Sequence, residues 1–232
     1  MKRIFLLLAT LCLAVLLVGC GASQQANQPM LEKVVIQAPP APPTAPLLQM
    51  VADQPLGPEV PVELIFYKSV EEATARIIKG EAHLTILPVN VAAKLYNKEA
   101  DVMLANVSTW GLLYLLSSNS DITHWSDLQG QQIAAGAQGA SPDIITRYLL
   151  AKNNVPMEDL TITYASSPEI AQMMLQGMID TAVLPEPLVT NVLTKNPQIK
   201  IVMDYNKEWQ QAEEGNNSLP QAGMVVLGSF AK

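Results

Sequence analysis

Tyr67-Lys-Ser-Val-Glu-Glu-Ala-Thr-Ala-Arg-Ile-Ile-Lys-Gly-Glu-Ala-His-Leu-Thr-Ile-Leu-Pro88 recurs without a gap, 97 positions later, as Tyr164-Ala-Ser-Ser-Pro-Glu-Ile-Ala-Gln-Met-Met-Leu-Gln-Gly-Met-Ile-Asp-Thr-Ala-Val-Leu-Pro185. Tyr67/Tyr164, Ser69/Ser166, Glu72/Glu169, Gly80/Gly177, Leu87/Leu184 and Pro88/Pro185 are identical pairs. Each copy reads as a strand end, a helix closed by glycine, a second strand and a proline loop. A repeat spaced this widely implies two similar domains rather than a solenoid. Two such lobes, with matching loops at their strand ends, predict a cleft that holds a ligand.

Outward from the repeat, Lys33 to Gln37 reads as a first strand, followed by the proline-rich Ala38 to Pro43. Thr44 is placed to cap a helix to Ala52. Val62 to Tyr67 has the apolar character of a buried parallel strand. Ser69 caps a helix to Lys79, with Glu71 and Glu72 in its favourable first turn. Gly80 ends that helix. His83 to Leu87 and Val89 to Asn97 add a strand and a helix, and the alternation defines lobe one, 33–109. Val102 to Val107 and Leu112 to Ser118, with Ser108-Thr-Trp-Gly111 between them, read as a crossing between lobes. Lobe two, 110–232, then repeats the pattern through Gln132 to Ala135, Pro142 to Asn153, Leu160 to Ala165, Pro168 to Gln176, Thr181 to Leu184, Leu188 to Lys195 and Ile199 to Tyr205. Lys207 to Pro220 reads as polar loop, and Ala222 to Gly228 as a last strand before the start of a return segment.

The N-terminus reads as a targeting segment. Lys2 and Arg3 precede an apolar run from Ile4 to Val18, too short for a comfortable membrane span. Leu17-Val18-Gly19-Cys20 resembles the bacterial lipobox, which implies cleavage after residue 19 and a diacylglycerol on the Cys20 sulfur. Residues 20–32 then form a polar tether. Cys12 leaves with the signal and Cys20 carries lipid, so no thiol remains for a disulfide, a thiolate metal site or a nucleophile. Loss of Lys2 and Arg3 takes the formal charge from −7 to −9. An acidic surface argues against nucleic acid. It leaves an anionic ligand open, because local donors decide binding.

Three stretches carry a family resemblance: Gly80-Glu-Ala-His-Leu-Thr-Ile-Leu-Pro-Val-Asn-Val-Ala92, Trp125-Ser-Asp-Leu-Gln-Gly130, and Gly177-Met-Ile-Asp-Thr-Ala-Val-Leu-Pro-Glu-Pro-Leu-Val189. They resemble the solute-binding lipoproteins of ABC importers, of the nitrate/sulfonate/taurine type related to thiamine-precursor binders. The resemblance implies a two-lobed α/β fold of the type II periplasmic-binding kind. It also implies a hinge, a ligand held at the interface, and a permease and an ATPase as partners. The expected protein is a monomer, lipid-anchored on the extracytoplasmic face, without cofactor or metal. His83 departs from the family, which more often has the aspartate that the second copy keeps as Asp180. Relatives of this kind continue into helices that return to lobe one, so this reading expects a fold lacking those helices, with apolar surface exposed on lobe one.

In α/β sheets, ligands bind outside the carboxyl ends of the strands, where helix N-termini point inward. That rule selects Thr44, Lys68, Asn90, the loop residues Gly136, Gln138, Gly139 and Ser141, Ser166 and Glu186, with Trp110 beside the hinge. Gly136 to Ser141 before Pro142 is the best anion cradle, with Ser141 able to cap and Pro142 suited to the first turn. No Gly-Lys-Ser/Thr follows, so it is not a P-loop. Glu186 can accept from a ligand amine, or simply sit on a helix dipole. Asn90 and Thr44 can orient a ligand or cap a helix, and Trp110 can wall the cleft or pack in the core. Past Arg3, the arginines are Arg76 and Arg147, both inside helices, so a bidentate clamp for a carboxylate or phosphate is not visible. Lys68 is the cation of the strand-end loops, which disfavours a multiply charged ligand.

Enzyme readings find little support. His83 and His124 have no metal-ligand spacing, and no Gly-x-Ser-x-Gly elbow occurs. The sequence therefore reads as a capture module for an importer. The alternatives are an enzyme of cofactor biosynthesis on the same fold, which would not need a lipobox, and a sensory lipoprotein.

Overall fold

The protein is described by a computed structural model, which covers residues 31–215 and 217–231. The signal, Cys20 and most of the tether lie outside the described residues. The chain from Lys33 onward forms one compact unit.

The chain runs β1 (Val34–Ala38), α1 (Ala45–Asp53), β2 (Val62–Phe66), α2 (Val70–Ile78), β3 (Leu84–Pro88), α3 (Val89–Asn97) and β4 (Val102–Trp110). It continues through β5 (Leu113–Ser117), β6 (Gln132–Ala135), α4 (Ser141–Lys152), β7 (Thr161–Thr163), α5 (Ser167–Leu175), β8 (Thr181–Pro185), α6 (Leu188–Lys195), β9 (Lys200–Asp204), α7 (Tyr205–Ala212) and β10 (Pro220–Leu227). One sheet has the order β2-β1-β3-β10-β4 and the other β7-β6-β8-β5-β9. Position for position the two are the same design. In each, three parallel strands are followed by an antiparallel one and an edge strand antiparallel to that. The offset of the quoted repeat thus maps α2 onto α5 and β3 onto β8.

The chain enters lobe two between β4 and β5 and returns before β10. The return comes earlier than the sequence reading places it. Ala222 to Gly228 was expected in lobe two, but β10 lies in the lobe-one sheet, antiparallel to both β3 and β4. The physical reason is that β3 would otherwise be an open edge with buried apolar residues such as Ile86 and Leu87. Val225, on β10, completes the core of lobe one with Tyr67, Ile77 and Leu87. Phe230 turns back onto the same lobe and stacks on His83 at 4.6 Å.

Local signals fix the element ends. The Ser69 hydroxyl accepts the Glu72 N–H at 3.2 Å and starts α2. Gly80 and Gly177 follow α2 and α5 with φ of 73° and 68°, the left-handed turn that a side chain disfavours. One helix departs from expectation. The stretch from Lys207, read as polar loop, begins inside α7. Asp204 caps α7 by accepting the Asn206 and Lys207 N–H groups. Tyr205 is fully buried and bonds Thr146 Oγ1 at 2.8 Å. Trp209 packs on Tyr148. Two aromatic anchors thus hold an otherwise polar helix to α4.

Lobe two carries two cores, one on each face of its sheet. Leu115, Ile133, Leu149 and Leu150 pack on one face, and Ala134, Ile170, Leu184 and Val192 on the other. Burying each large side chain of this kind contributes about 1.5–3 kcal/mol. Lobe one is barer at its β4 edge. Tyr96 is 70% exposed, Met103 48% and Leu104 44%, and they line an apolar groove between α3 and β4.

Candidate functional site

The carboxyl ends of the parallel strands and both crossing segments converge on one cleft. Pro88 ends β3 opposite Ala222, at the start of β10. Pro185 ends β8 opposite Leu113, at the start of β5. Each repeat proline therefore lies beside a crossing. The crossings are joined directly, with Gly111 N–H donating to Leu219 O at 2.8 Å. Asn206 Oδ1 accepts the Leu219 N–H at 2.8 Å. A Cβ on Gly111 would lie 2.6 Å from the Asn206 side chain, so only glycine lets the first crossing lie this close to α7.

Across the cleft the lobes meet through two candidate residues. Ser141 Oγ donates to Asn90 Oδ1 at 2.9 Å, and Asn90 Nδ2 reaches Gly139 O at 3.5 Å. Asn90 is the second residue of α3 and Ser141 the first of α4, so two helix N-termini face each other here. Ser141 does not cap its helix as the sequence suggested. Ala140 holds the cap position without a side-chain bond, and the loop N–H of Gly139 is taken by Asp143 Oδ2 at 2.8 Å. The hydroxyl of Ser141 is thereby free for Asn90.

Asp143 is the centre of a network. Its other oxygen accepts Arg147 Nε at 2.6 Å and Tyr164 OH at 3.2 Å, and Arg147 Nη2 also bonds the Tyr164 oxygen. The carboxylate raises the Arg147 pKa, chiefly by hydrogen bonding. Burial, and then the Asp143 charge, raise that of Tyr164. Lobe one has the same spacing. Glu72 accepts Lys68 N–H at 2.7 Å and Arg76 Nη2 at 2.6 Å. The Lys68 backbone bond is the main cause of a lowered Glu72 pKa. Both arginines beyond Arg3 are therefore bound to carboxylates of their own helices, shaping cleft loops.

The remaining candidates divide. Lys68, Gln138, Gly139 and Ser166 are exposed on the strand-end loops, and Gly136 is buried beneath them. Thr44 is buried and does not cap α1; its hydroxyl donates to Pro39 O and closes the proline loop. Trp110 is half exposed, its Nε1 held by Val107 O at 3.1 Å, at the end of β4. The Glu186 carboxylate accepts the Thr190 N–H at 3.1 Å and hydroxyl at 3.0 Å, in the first turn of α6. Burial, and then the charges of Asp204 and Glu186, raise the pKa of Tyr114. Tyr164 enters the sequence reading only as half of an identical pair, and Tyr114 and Asp204 are not singled out there. The spacing of Asp143 and Arg147 is a usable signal for the first, whereas Tyr114 has none. His83 is structural, since its Nδ1 accepts Val35 N–H at 3.0 Å. Asp180 accepts Ser118 Oγ at 2.8 Å and ties strand ends together. Among the described residues no cluster of His, Cys, Asp and Glu is arranged to hold a metal ion, and no helix is long and apolar enough to cross a membrane.

Two lobes of one topology, two crossings and facing strand-end loops define a bilobal solute-binding protein of the type II periplasmic kind. The family described as ABC transporter, phosphonate, periplasmic substrate-binding protein matches residues 44–213, and the chain belongs to it. That family comprises substrate-binding components rather than a class of enzymes, and it acts outside the cytoplasm. No curated protein matches the chain. Among solved structures, an ABC transporter protein from Parabacteroides distasonis is similar with TM-score 0.70 and 26% identity, over 86% of this chain and 67% of that one. The aliphatic sulphonate binding protein SsuA from Escherichia coli gives 0.69 and 15%, over 86% of this chain and 66% of that one. PhnD1 from Prochlorococcus marinus, in complex with methylphosphonate, gives 0.63 and 11%, over 86% and 78%. The chain thus spans about two thirds of the length of the first two.

Proposed function

We propose that this protein captures a small solute bearing a sulfonate or phosphonate group between its lobes and delivers it to an ABC importer. The observation that carries the reading is the facing pair of helix N-termini, α3 and α4, brought together by Asn90 and Ser141 within the matched family. Helix N-termini supply backbone N–H groups and positive dipole ends for an anion. The anion's partners are the Gly136, Gln138, Gly139 and Ser141 loop, Asn90, Lys68 and Ser166. Trp110 walls the hinge side, and Glu186 meets an amine on the far end of the ligand. With both arginines held by carboxylates, recognition rests on neutral donors and one lysine. That arrangement favours a singly charged oxyanion over a multiply charged one.

The protein acts as a monomer, held to the membrane by lipid on Cys20, with a permease and its ATPase as partners. The deciding experiment is mass spectrometry of small molecules released from natively purified protein, followed by thermal shift with a sulfonate and phosphonate panel. A bound oxyanion raises the melting temperature by mass action. A copurified ligand without an oxyanion, and no shift across the panel, would sink the reading. For the anchor, Cys20→Ser is expected to move the protein from the membrane to the soluble fraction.

A further inference from the structure

The return crossing brings one more polar residue to the cleft end of the lobe-one sheet. Gln221 is the second residue of β10, at a bulge. Pro220 stands opposite Trp110, Ala222 stands opposite Pro88 and Thr109, and no position on either neighbour faces Gln221. Pro88 and Trp110 end β3 and β4, so Gln221 lies at the cleft end of the lobe-one sheet. It is 6% exposed, and its Nε2 has no hydrogen-bond partner among the described residues.

A buried donor without an acceptor burdens the fold, and native proteins keep few of them. Among the described residues, the other two buried polar atoms in this state sit on side chains anchored elsewhere. Gln37 bonds Ala73 O and Thr85 Oγ1 inside lobe one, and Arg76 bonds Glu72. Gln221 alone of the three stands at a crossing between the lobes. A bulge at such a place re-aims a side chain.

We propose that Gln221 is a ligand-binding residue, its amide donating to an oxygen of the solute at the hinge end of the cleft. The inference rests on the oxyanion reading above. A primary amide suits a site whose arginines are already engaged, because it binds an oxygen without adding charge. The orphaned amide then has a function that offsets its burden, as stability is traded for activity at working sites.

Thermal denaturation of the full chain, with methylphosphonate and methanesulfonate as probes, tests this. Gln221→Leu keeps the volume and removes the donor. It is expected to melt about 2–4 °C higher than wild type without probe, because the unpaired group is gone. It should also bind roughly 10- to 100-fold more weakly, from loss of a hydrogen bond to a charged acceptor. Gln221→Glu places a carboxylate against the anion and should abolish the probe-induced rise. Gln221→Leu melting below wild type would show that the amide supports the fold, and would overturn the proposal. So would a Gln221→Leu chain that keeps the wild-type response to probe. A wild-type chain that responds to neither probe removes the oxyanion reading itself, whereas a response kept in Gln221→Leu removes only the role of this residue.

Discussion

Asp143 and Glu72 do the same work at the same spacing. Each accepts a backbone N–H from four residues before and a guanidinium from four residues after. The difference is burial. The Asp143 side chain is 2% exposed, while its partner Arg147 is 38% exposed. Removing the exposed partner strands a buried charge, whereas removing the buried one leaves an arginine that water can reach. Arg147→Met is therefore expected to cost about 3 kcal/mol and Asp143→Asn about 2 kcal/mol, after allowing for screening of the exposed partner. Urea titration of the two variants checks the order, and a larger loss in Asp143→Asn would contradict it. His83 gives a pH test. Burial first, and then the Lys33 charge, hold its imidazole below the ordinary value of 6.5. The unfolded chain thus takes up this proton first as pH falls, and stability present above 6.5 declines below it. Melting temperatures from about pH 7.5 to about pH 5.5 should fall less in His83→Gln than in wild type. Equal slopes would assign the loss to other groups. At this scale the Ser69 cap and the glycine closures are legible from sequence, because each depends on neighbours a few residues away. The roles of Thr44 and Ser141 are not, because Pro39 and Asn90 take their hydroxyls through the fold.

Among the elements, β6, α3 and α6 keep the residues their periodicity assigns, and the crossing after β4 falls where Gly111 marks it. These elements declare themselves through apolar runs and breakers. Helix α7 does not, since most of it is polar and its hold on the protein comes from Tyr205, Trp209 and the Asp204 cap. Asp204→Ala is expected to cost about 1 kcal/mol, the usual value of a lost cap. The loss should be local. Hydrogen exchange should speed at the α7 amides and leave α4 amides such as Leu149 unchanged. Uniform acceleration across lobe two would mean that Asp204 supports the whole lobe. The placement of β10 is likewise hidden in the sequence, since an apolar strand carries no label for the sheet it joins. Only the open edge of β3 decides that.

At the scale of the whole molecule the repeat makes two lobes inevitable, and the strand-end rule selects the loops where Asn90 and Ser141 meet. What the repeat does not disclose is that the lobes complete each other unequally. Every strand of the lobe-two sheet lies between Leu113 and Asp204, one unbroken stretch. The lobe-one sheet draws its fourth strand from Pro220–Leu227, after the whole of lobe two. A ribosome delivers residues in order, and domains generally fold as units as they emerge. Here the earlier half waits. Residues 33–111 emerge first, with β3 paired to β1 on one side only until β10 appears, while lobe two can close behind them. A fragment spanning 112–213 is therefore expected to give a cooperative melt, and a fragment spanning 33–111 is not, by circular dichroism. A cooperative melt from 33–111 alone would reverse the order. During synthesis and export, the unpaired β3 edge is the surface in need of shielding.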